Sequence, residues 1–212
     1  MDKYTSGNIA ELFEGVAAIF AEKKAELCEL DANMGDGDLG LTMDKGYGAL
    51  PEFIRQNEEA GDVGKTLFKG GMKMSGLVPS TMGTLMSSGI MEGGKAIKGK
   101  SEMGAKELAE FLTAFAAGIQ KRGKCALGDR TILDAVDPAA KEAVKAAEAG
   151  ADMLGVITAA CEGAAQGVEA TKNMTPKFGK AAVFAAKAIG VADQGAIAGM
   201  YLIQGLRNSI KK

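Results

Sequence analysis

The chain has 212 residues, with 25 basic and 27 acidic side chains and a formal net charge of −2. This balance lacks the cationic footprint of a nucleic-acid-binding domain, and no basic amphipathic segment indicates a membrane surface, so neither partner is expected. Histidine is absent, which excludes Ser-His-Asp and Cys-His centres and histidine metal ligands on this chain. No signal peptide or bilayer-spanning stretch stands out, so we expect a soluble cytoplasmic protein.

Apolar residues recur at three- and four-residue steps along almost the whole chain, which is the periodicity of amphipathic helices. Connections between the helical segments are short, and this favours antiparallel neighbours. No segment shows convincing strand-type alternation, so a sheet is not expected. The sequence predicts an all-α, single-domain bundle of eight antiparallel helices over residues 1–212. The predicted helices span residues 7–26, 40–56, 62–75, 81–98, 104–121, 130–148, 151–171 and 194–210.

Four longer joints between the helices are rich in glycine or polar residues. They fall at residues 28–39, 76–80, 122–130 and 173–195. Alternate joints of an up-and-down bundle lie at the same end, so several of them could converge on one site.

The first of these joints crowds three carboxylates, those of Asp31, Asp36 and Asp38, around Gly35 and Gly37. Taken singly, Asp38 could be a helix N-cap and Asp31 a solvated helix end. Capping needs only one acceptor, however, and further anions nearby would repel one another. A bound cation removes that repulsion, and the glycines allow a ligand to approach the backbone closely.

All-oxygen ligands select hard ions such as Mg²⁺, Mn²⁺ or Ca²⁺. The spacing does not fit an EF-hand, because Gly40 occupies the next alternate position and no glutamate closes a twelve-residue loop. Three carboxylates without a full cage are typical of a Mg²⁺ site completed by phosphate and water, as in nucleotide-dependent phosphoryl transfer.

The segment LDANMGDGDLGLTM (30–43) resembles the metal motif of the nucleotide-binding L subunit of dihydroxyacetone kinase, the DhaL or DAK2 family. Two further segments, 122–139 and 178–196, are similar to motifs of that family in the same order. The resemblance implies a barrel of eight antiparallel helices with ATP or ADP bound at one end. It also implies two Mg²⁺ ions, or alternatively Mn²⁺, held against the nucleotide phosphates by the three aspartates.

Carried over position by position, the resemblance gives a set of catalytic and binding residues. The catalytic and metal-binding set is Asp31, Asp36 and Asp38, with Lys180 as the residue that neutralises developing charge. The nucleotide-binding set is Leu39, Thr42, Ser80, Thr81, Met82, Gly83, Gly123, Ile132, Lys180, Asp193 and Gly195.

Several positions depart from the family pattern. Leu39 replaces a histidine, Thr42 an asparagine, Lys180 an arginine, and Gln194 the proline of an Asp-Pro-Gly turn. Lysine keeps the charge of arginine but loses its bidentate fork. Leu39 removes a polar side chain from the region of the phosphates.

The family's phosphate loop, Gly-Gly-x-Ser-Gly-Pro, is altered most, and two registers compete for it. The segment at 74–77 preserves a Ser-Gly pair, whereas the segment at 79–85 preserves the spacing to Gly123 and places a Pro-Ser-Thr turn at a helix start. We favour the second register, because free N–H groups at a helix N-terminus receive phosphate well. Taken alone, Ser80 or Thr81 would more simply cap the helix.

The implied function is that of a kinase subunit, which transfers phosphate from nucleotide to a small ketose or related substrate held by a partner K subunit. The phosphate donor is either free ATP or a phosphocarrier protein that recharges bound ADP, and a homodimer is compatible with the sequence. Two alternatives stay open: a nucleotide-sensing regulatory module without turnover, and a phosphatase or hydrolase that uses the same two-metal turn.

Overall fold

The computed structural model describes residues 3–210, apart from the side chains of residues 184, 186 and 187. Over this range the chain forms eight long α-helices, one short α-helix and one 3-10 helix (Lys180–Phe184), and the all-α prediction is confirmed. In chain order the α-helices are α1 (Ala10–Ala32), α2 (Leu39–Gln56), α3 (Val63–Leu77), α4 (Thr81–Ala96), α5 (Ala105–Gly123), α6 (Leu133–Glu148), α7 (Met153–Thr171), the short α8 (Ala185–Ala188) and α9 (Gln194–Ser209).

The long helices close into a ring. Each packs against the next along the chain, and α1 packs against α9, so the first and last long helices complete a barrel. Glycines allow that closing contact, since a Cβ on Gly15 would lie 2.3 Å from the carbonyl oxygen of Gly205. A side chain at this position would push the two helices apart and open the barrel.

Aromatic side chains fill the interior of the ring. Phe20 and Tyr47 stack with ring centroids 4.9 Å apart, and Phe13 meets Phe111 edge-on at 6.4 Å. All four rings are buried, and burying a side chain of this size stabilises the fold by roughly 1.5–3 kcal/mol. The core therefore lies along the barrel axis and leaves the ends of the helices to form sites.

The observed boundaries differ from the predicted ones most at α1, which continues six residues beyond residue 26 to Ala32. The residues between Leu27 and Ala32 include good helix formers, and the first glycine comes only at Gly35. As a result, Asp31 lies in the last turn of a helix rather than in a joint.

The expectation of no sheet is wrong in one small respect. The strands β1 (Tyr4–Thr5) and β2 (Glu102–Met103) pair antiparallel, two residues each. Strands this short contain too few residues for an alternating pattern to appear in the sequence. Among the described residues, no helix has both the length and the apolar character required to cross a bilayer.

Candidate functional site

A cleft of about 560 Å³ lies at one end of the barrel, where α1 ends and where α2, α4, α6 and α9 begin. This volume is in the range of small-molecule sites. All four of the longer joints predicted from the sequence contribute to its walls, so they do converge. The lining residues are Asp31, Met34, Gly35, Asp36, Asp38, Leu39, Pro79, Ser80, Thr81, Met82, Leu85, Arg130, Thr131, Ile132, Phe178, Gly179, Lys180, Ala181, Asp193, Gln194 and Gly195.

Helix N-termini give this end of the barrel a positive potential. The first residues of α2, α4 and α9 line the cleft, as does Ile132 at the N-cap of α6. Unpaired N–H groups and aligned peptide dipoles make each helix start favourable for anions. At α4, the Ser80 hydroxyl accepts a hydrogen bond from the Gly83 N–H at 3.0 Å. That bond uses the oxygen of Ser80 as an acceptor and does not use its hydroxyl proton.

Backbone hydrogen bonds hold the Asp31 carboxylate in place within the carboxylate turn. Its Oδ2 accepts hydrogen bonds from the backbone N–H groups of Gly37 at 2.9 Å, Asp38 at 3.1 Å and Leu39 at 3.4 Å. The side chain is buried, and its other oxygen is closely approached by the backbone of Gly35, where a Cβ would lie 2.1 Å from Oδ1. Only glycine fits there without displacing the carboxylate.

The other two carboxylates of the turn are exposed and are not used to hold the helix. Asp38 occupies the N-cap position of α2 but makes no side-chain cap hydrogen bond, so its carboxylate stays available to a ligand. Asp36 forms an ion pair with Lys180, with Nζ 2.9 Å from Oδ2. The hydrogen bond and the charge of Lys180 hold the pKa of the Asp36 carboxyl below its usual range.

The turn fits a hard divalent cation. Asp31, Asp36 and Asp38 each offer a carboxylate oxygen, and these oxygens lie within 4.8 Å of one another. The amide oxygen Oε1 of Gln194, which also lines the cleft, is buried and has no hydrogen-bond partner among the described residues. An all-oxygen donor set of this charge suits Mg²⁺ or Mn²⁺.

A second acidic loop, between α5 and α6, has carboxylates that the chain itself uses. Asp134 accepts hydrogen bonds from two backbone amides of the loop, at 2.6 and 2.7 Å. Asp129 accepts one from the Ala126 N–H at 2.7 Å and forms an ion pair with Lys177 at 2.6 Å. Both are buried, so they shape the wall of the cleft rather than offer ligands.

A buried ion pair ties this loop to the start of α9. Arg130, whose φ is 60°, donates from Nη1 to Asp193 Oδ1 at 3.3 Å and from Nη2 to the Val191 carbonyl at 3.0 Å. Asp193 also caps α9 by accepting from the Ala196 N–H at 2.8 Å. Burial raises the pKa of Asp193 to about 6, although the cap and Arg130 act in the opposite direction.

The structure brings most of the residues predicted from the sequence to the cleft. Those that line it are Asp31, Asp36, Asp38, Leu39, Ser80, Thr81, Met82, Ile132, Lys180, Asp193 and Gly195. The segment at 74–77, the competing register of the phosphate loop, ends α3 and does not belong to the lining.

Three predicted residues lie outside the lining. Thr42 is one turn into α2 and donates its N–H to the Asp38 carbonyl at 3.0 Å. Gly83 uses its N–H in the Ser80 cap. Gly123 ends α5 behind the wall, where a Cβ would lie 3.2 Å from the Cδ2 atom of Leu85.

Arg130, Gln194 and Phe178 line the cleft but were missing from the predicted set. Arg130 and Gln194 are each next to a predicted or motif residue, but Gln194 was noted only as a departure from a proline. For Gln194, the available signal was a polar side chain at the first position of a helix that starts at the site. For Phe178, an aromatic residue in a loop, the sequence carried no clear signal.

A profile of the DAK2 domain matches residues 33–208. The chain belongs to the DAK2 domain family. The matched range includes every lining residue of the cleft except Asp31, which lies two residues before it.

Curated relatives of two kinds resemble this DAK2 domain. One is the "PEP-dependent dihydroxyacetone kinase 2, ADP-binding subunit DhaL" of Listeria innocua, 29% identical over 98% of the chain and 96% of the relative. The corresponding subunit of Escherichia coli is 26% identical over 92% of each. The human "Triokinase/FMN cyclase" is 28% identical over 95% of the chain but only 35% of its own length.

Solved structures of the dihydroxyacetone kinase of C. freundii share the fold. The native form superposes with a TM-score of 0.70 at 22% sequence identity, and the complex with AMP-PNP and Mg²⁺ with a TM-score of 0.71 at 23% identity. The superpositions include 95% and 98% of this DAK2 domain, but only 34% and 35% of the two kinase chains. The remaining two thirds of those chains have no counterpart in it.

Proposed function

We propose that this DAK2 domain, as one unit over residues 1–212, is the Mg²⁺-dependent ATP- or ADP-binding subunit of a dihydroxyacetone-type kinase. It would take part in phosphate transfer to a small ketose or related substrate held by a partner K subunit. The observation that carries the proposal is the carboxylate turn, which stands in a cleft surrounded by helix N-termini. The site thus offers negative ligands for cations and positive dipoles for phosphates, the two needs of a metal–nucleotide complex.

Asp31, Asp36 and Asp38 would hold the cations, two Mg²⁺ or alternatively Mn²⁺. When bound, the cations would supply neutralisation of phosphate charge and in-line orientation of the transferred group. Asp31 is held by three backbone amides, so it presents its remaining oxygen in a fixed direction. The exposed carboxylates of Asp36 and Asp38 can adjust to the ligand.

The opposite side of the cleft suits the nucleotide. Ser80 and Thr81, at the start of α4, can donate hydroxyl and backbone hydrogens to phosphate. Ile132 is a buried apolar side chain of the lining and fits the flat, apolar adenine base. Lys180, more than half exposed and already paired with Asp36, can turn its charge to the phosphates when cations take its place at the carboxylate.

A partner subunit is part of the proposal. The chain has no histidine, and the resemblance places the sugar on a histidine of the K subunit. Phe178 of the cleft lining is exposed, and further exposed apolar side chains lie in the two joints at 122–130 and 173–195 that reach the cleft, namely Leu127, Val183, Ile189 and Val191. These side chains offer a contact surface for such a chain. The relatives named "PEP-dependent" and "ADP-binding" support a phosphocarrier that recharges bound ADP as the phosphate donor.

Two measurements test the proposed function. Titration calorimetry should show ADP binding that requires Mg²⁺ and that is lost when the cation is chelated. Adding a K-type subunit and dihydroxyacetone should then give phosphorylated sugar, with either ATP or a phosphocarrier system as donor. ADP binding that is indifferent to Mg²⁺ would contradict the proposal.

A second candidate function is nucleotide sensing without turnover. It is favoured by Leu39, a buried leucine in the cleft at the position where the resembling family has a histidine. A sensing module would bind Mg·ADP as a kinase subunit does, but adding a K-type subunit and sugar would give no sugar phosphate. Turnover in the reconstituted mixture therefore decides between the two functions.

A further inference from the structure

Gln194 stands at the edge of the carboxylate turn with only half of its side-chain amide paired. It is the first residue of α9, directly after the N-cap Asp193. Its Nε2 lies 3.4 Å from Asp31 Oδ1, a long hydrogen bond. Its Oε1 is buried and has no partner among the described residues. The Nε2 end of the amide thus donates to a carboxylate of the turn, and the Oε1 end is an acceptor without a donor.

A buried amide oxygen without a donor is costly, so its presence indicates that a donor is brought by something else. The side chains of the turn nearby are carboxylates, which can only accept when ionised. A water molecule bound to a divalent cation is a strong hydrogen-bond donor, because the ion polarises its O–H bonds. A cation held by the turn would therefore bring a suitable donor to Gln194 Oε1 in the form of its bound water.

The contact between Gln194 Nε2 and Asp31 Oδ1 also fits a cation site. The Oδ2 of Asp31 is occupied by three backbone amides, which leaves Oδ1 as the oxygen that can reach a cation. A carboxylate oxygen has two lone pairs, so Oδ1 can accept from Gln194 and still bind an ion. Outer-shell hydrogen bonds of this kind orient metal ligands and tune affinity.

We propose that Gln194 is a positioning residue of the cation site in this DAK2 domain. Its Nε2 orients the Asp31 carboxylate, and its Oε1 accepts a hydrogen bond from a water in the coordination shell of the cation. This rests on the proposed function, because it requires that the carboxylate turn binds a divalent cation. The family motif has proline at this position, so the amide of Gln194 is a feature of this chain and not of the motif.

Proline gives a sharp probe, because it removes the amide while suiting the backbone. The first position of a helix accepts proline well, since its N–H has no partner within the helix. The preceding residue, Asp193, has φ −70° and ψ 128°, which is the conformation favoured before proline. Gln194→Pro should therefore keep α9, and Gln194→Ala removes the same amide without changing the backbone.

The test measures Mn²⁺ binding at saturating ADP by electron paramagnetic resonance, in the wild-type protein and in both variants. Gln166→Ala, which removes an exposed glutamine of α7, is the matched control. We expect Gln194→Pro and Gln194→Ala to weaken Mn²⁺ binding by about 10-fold. The control should bind as the wild type does, and thermal unfolding in chelator should show all four proteins folded.

Each other outcome overturns the inference in a distinguishable way. If wild type and both variants bind Mn²⁺ equally well, Gln194 has no part in the site, while the proposed function stands. A loss in Gln194→Pro without a loss in Gln194→Ala would assign the effect to the backbone. If the wild-type protein itself fails to bind Mn²⁺ with ADP, the proposed function and the inference both fail.

Discussion

Two loops at the same end of the barrel have similar compositions and opposite uses of their acidic residues. The first, MGDGD at 34–38, leaves Asp36 and Asp38 exposed, and Asp36 is paired with the exposed Lys180. The second, LGDRTILD at 127–134, buries its two carboxylates and satisfies them with backbone amides and a lysine. In the first loop the acids are available to a ligand, whereas in the second they hold the loop.

The difference teaches how to separate binding from structural carboxylates. An acid that accepts hydrogen bonds from its own backbone stabilises one conformation, and removing it costs stability. Acids that crowd together without donors cost stability until a cation arrives. Asp31 belongs to both groups, because its Oδ2 holds the turn and its carboxylate is also part of the acidic cluster.

The largest expected effect comes from removing the two exposed acids of the first loop. Asp36→Asn combined with Asp38→Asn should weaken Mg²⁺-dependent ADP binding by about 1,000-fold, because two charged ligands are lost. Stability in chelator should stay the same or rise, since repulsion with Asp31 is relieved. Titration calorimetry and thermal unfolding measure both quantities. Unchanged ADP affinity in this variant would remove the basis for the cation site.

Removing an acid of the second loop should give the converse result. Asp134→Ala leaves the N–H groups of Gly128 and Thr131 without their charged acceptor and should lower the free energy of unfolding by about 2 kcal/mol. Urea denaturation measures this loss. Mn²⁺ affinity of the folded fraction should remain within about 2-fold of wild type. If Asp134→Ala kept full stability but no longer bound Mn²⁺, the roles of the two loops would have been assigned the wrong way round.

Lys180 sharpens the contrast, because it is the cation already paired with Asp36. Without nucleotide, Lys180→Gln should strengthen Mn²⁺ binding slightly, since the competing ammonium is gone. With Mg²⁺ present, the same variant should bind ADP about 10-fold more weakly, because a charge-assisted hydrogen bond to phosphate is lost. Lys172→Gln, which removes a lysine paired with the exposed Glu169, is the control. Equal ADP affinity in both variants would deny Lys180 a role at the phosphates.

The smallest effect concerns the pH dependence of stability at Asp193, whose pKa burial raises in the folded state to about 6 from its ordinary value of 3.8. The folded state then binds more protons than the unfolded state between these values, so stability from this group falls as pH rises through about 6. The advantage of wild type over Asp193→Asn should be about 1 kcal/mol larger at pH 5 than at pH 7. Urea denaturation at both values measures it. An advantage that grows with pH would show that Arg130 outweighs burial.

Most of the helical frame could be predicted because it depends on periodicity. Helices such as α5 and α7 carry continuous apolar faces, and their observed bounds lie within two residues of the predicted ones. The end of α1 was missed since its last turn has little to distinguish it from a polar joint. The pairing of β1 with β2 was missed because it joins residues almost a hundred positions apart.

The candidate site could be predicted only in part, because sequence patterns give residue types but not the direction of side chains. The cluster of acids in the first loop was visible, since three acids among glycines are unusual. Asp38 stands at an N-cap position without capping its helix, and Asp31 accepts the backbone hydrogen bonds of the turn instead of being solvated; only the geometry shows either fact. Likewise, the buried Arg130–Asp193 pair joins two distant loops, and neither residue alone signals the other.

The most direct test is the crystal structure of this DAK2 domain grown with ADP and Mn²⁺, with diffraction data collected near the manganese absorption edge. Anomalous difference peaks should appear beside the carboxylates of Asp31, Asp36 and Asp38, with the phosphates of ADP facing the start of α4. No peak should appear at Asp129 or Asp134. Peaks at that second loop, or an ADP complex without manganese at the first, would contradict the division of labour between the two loops.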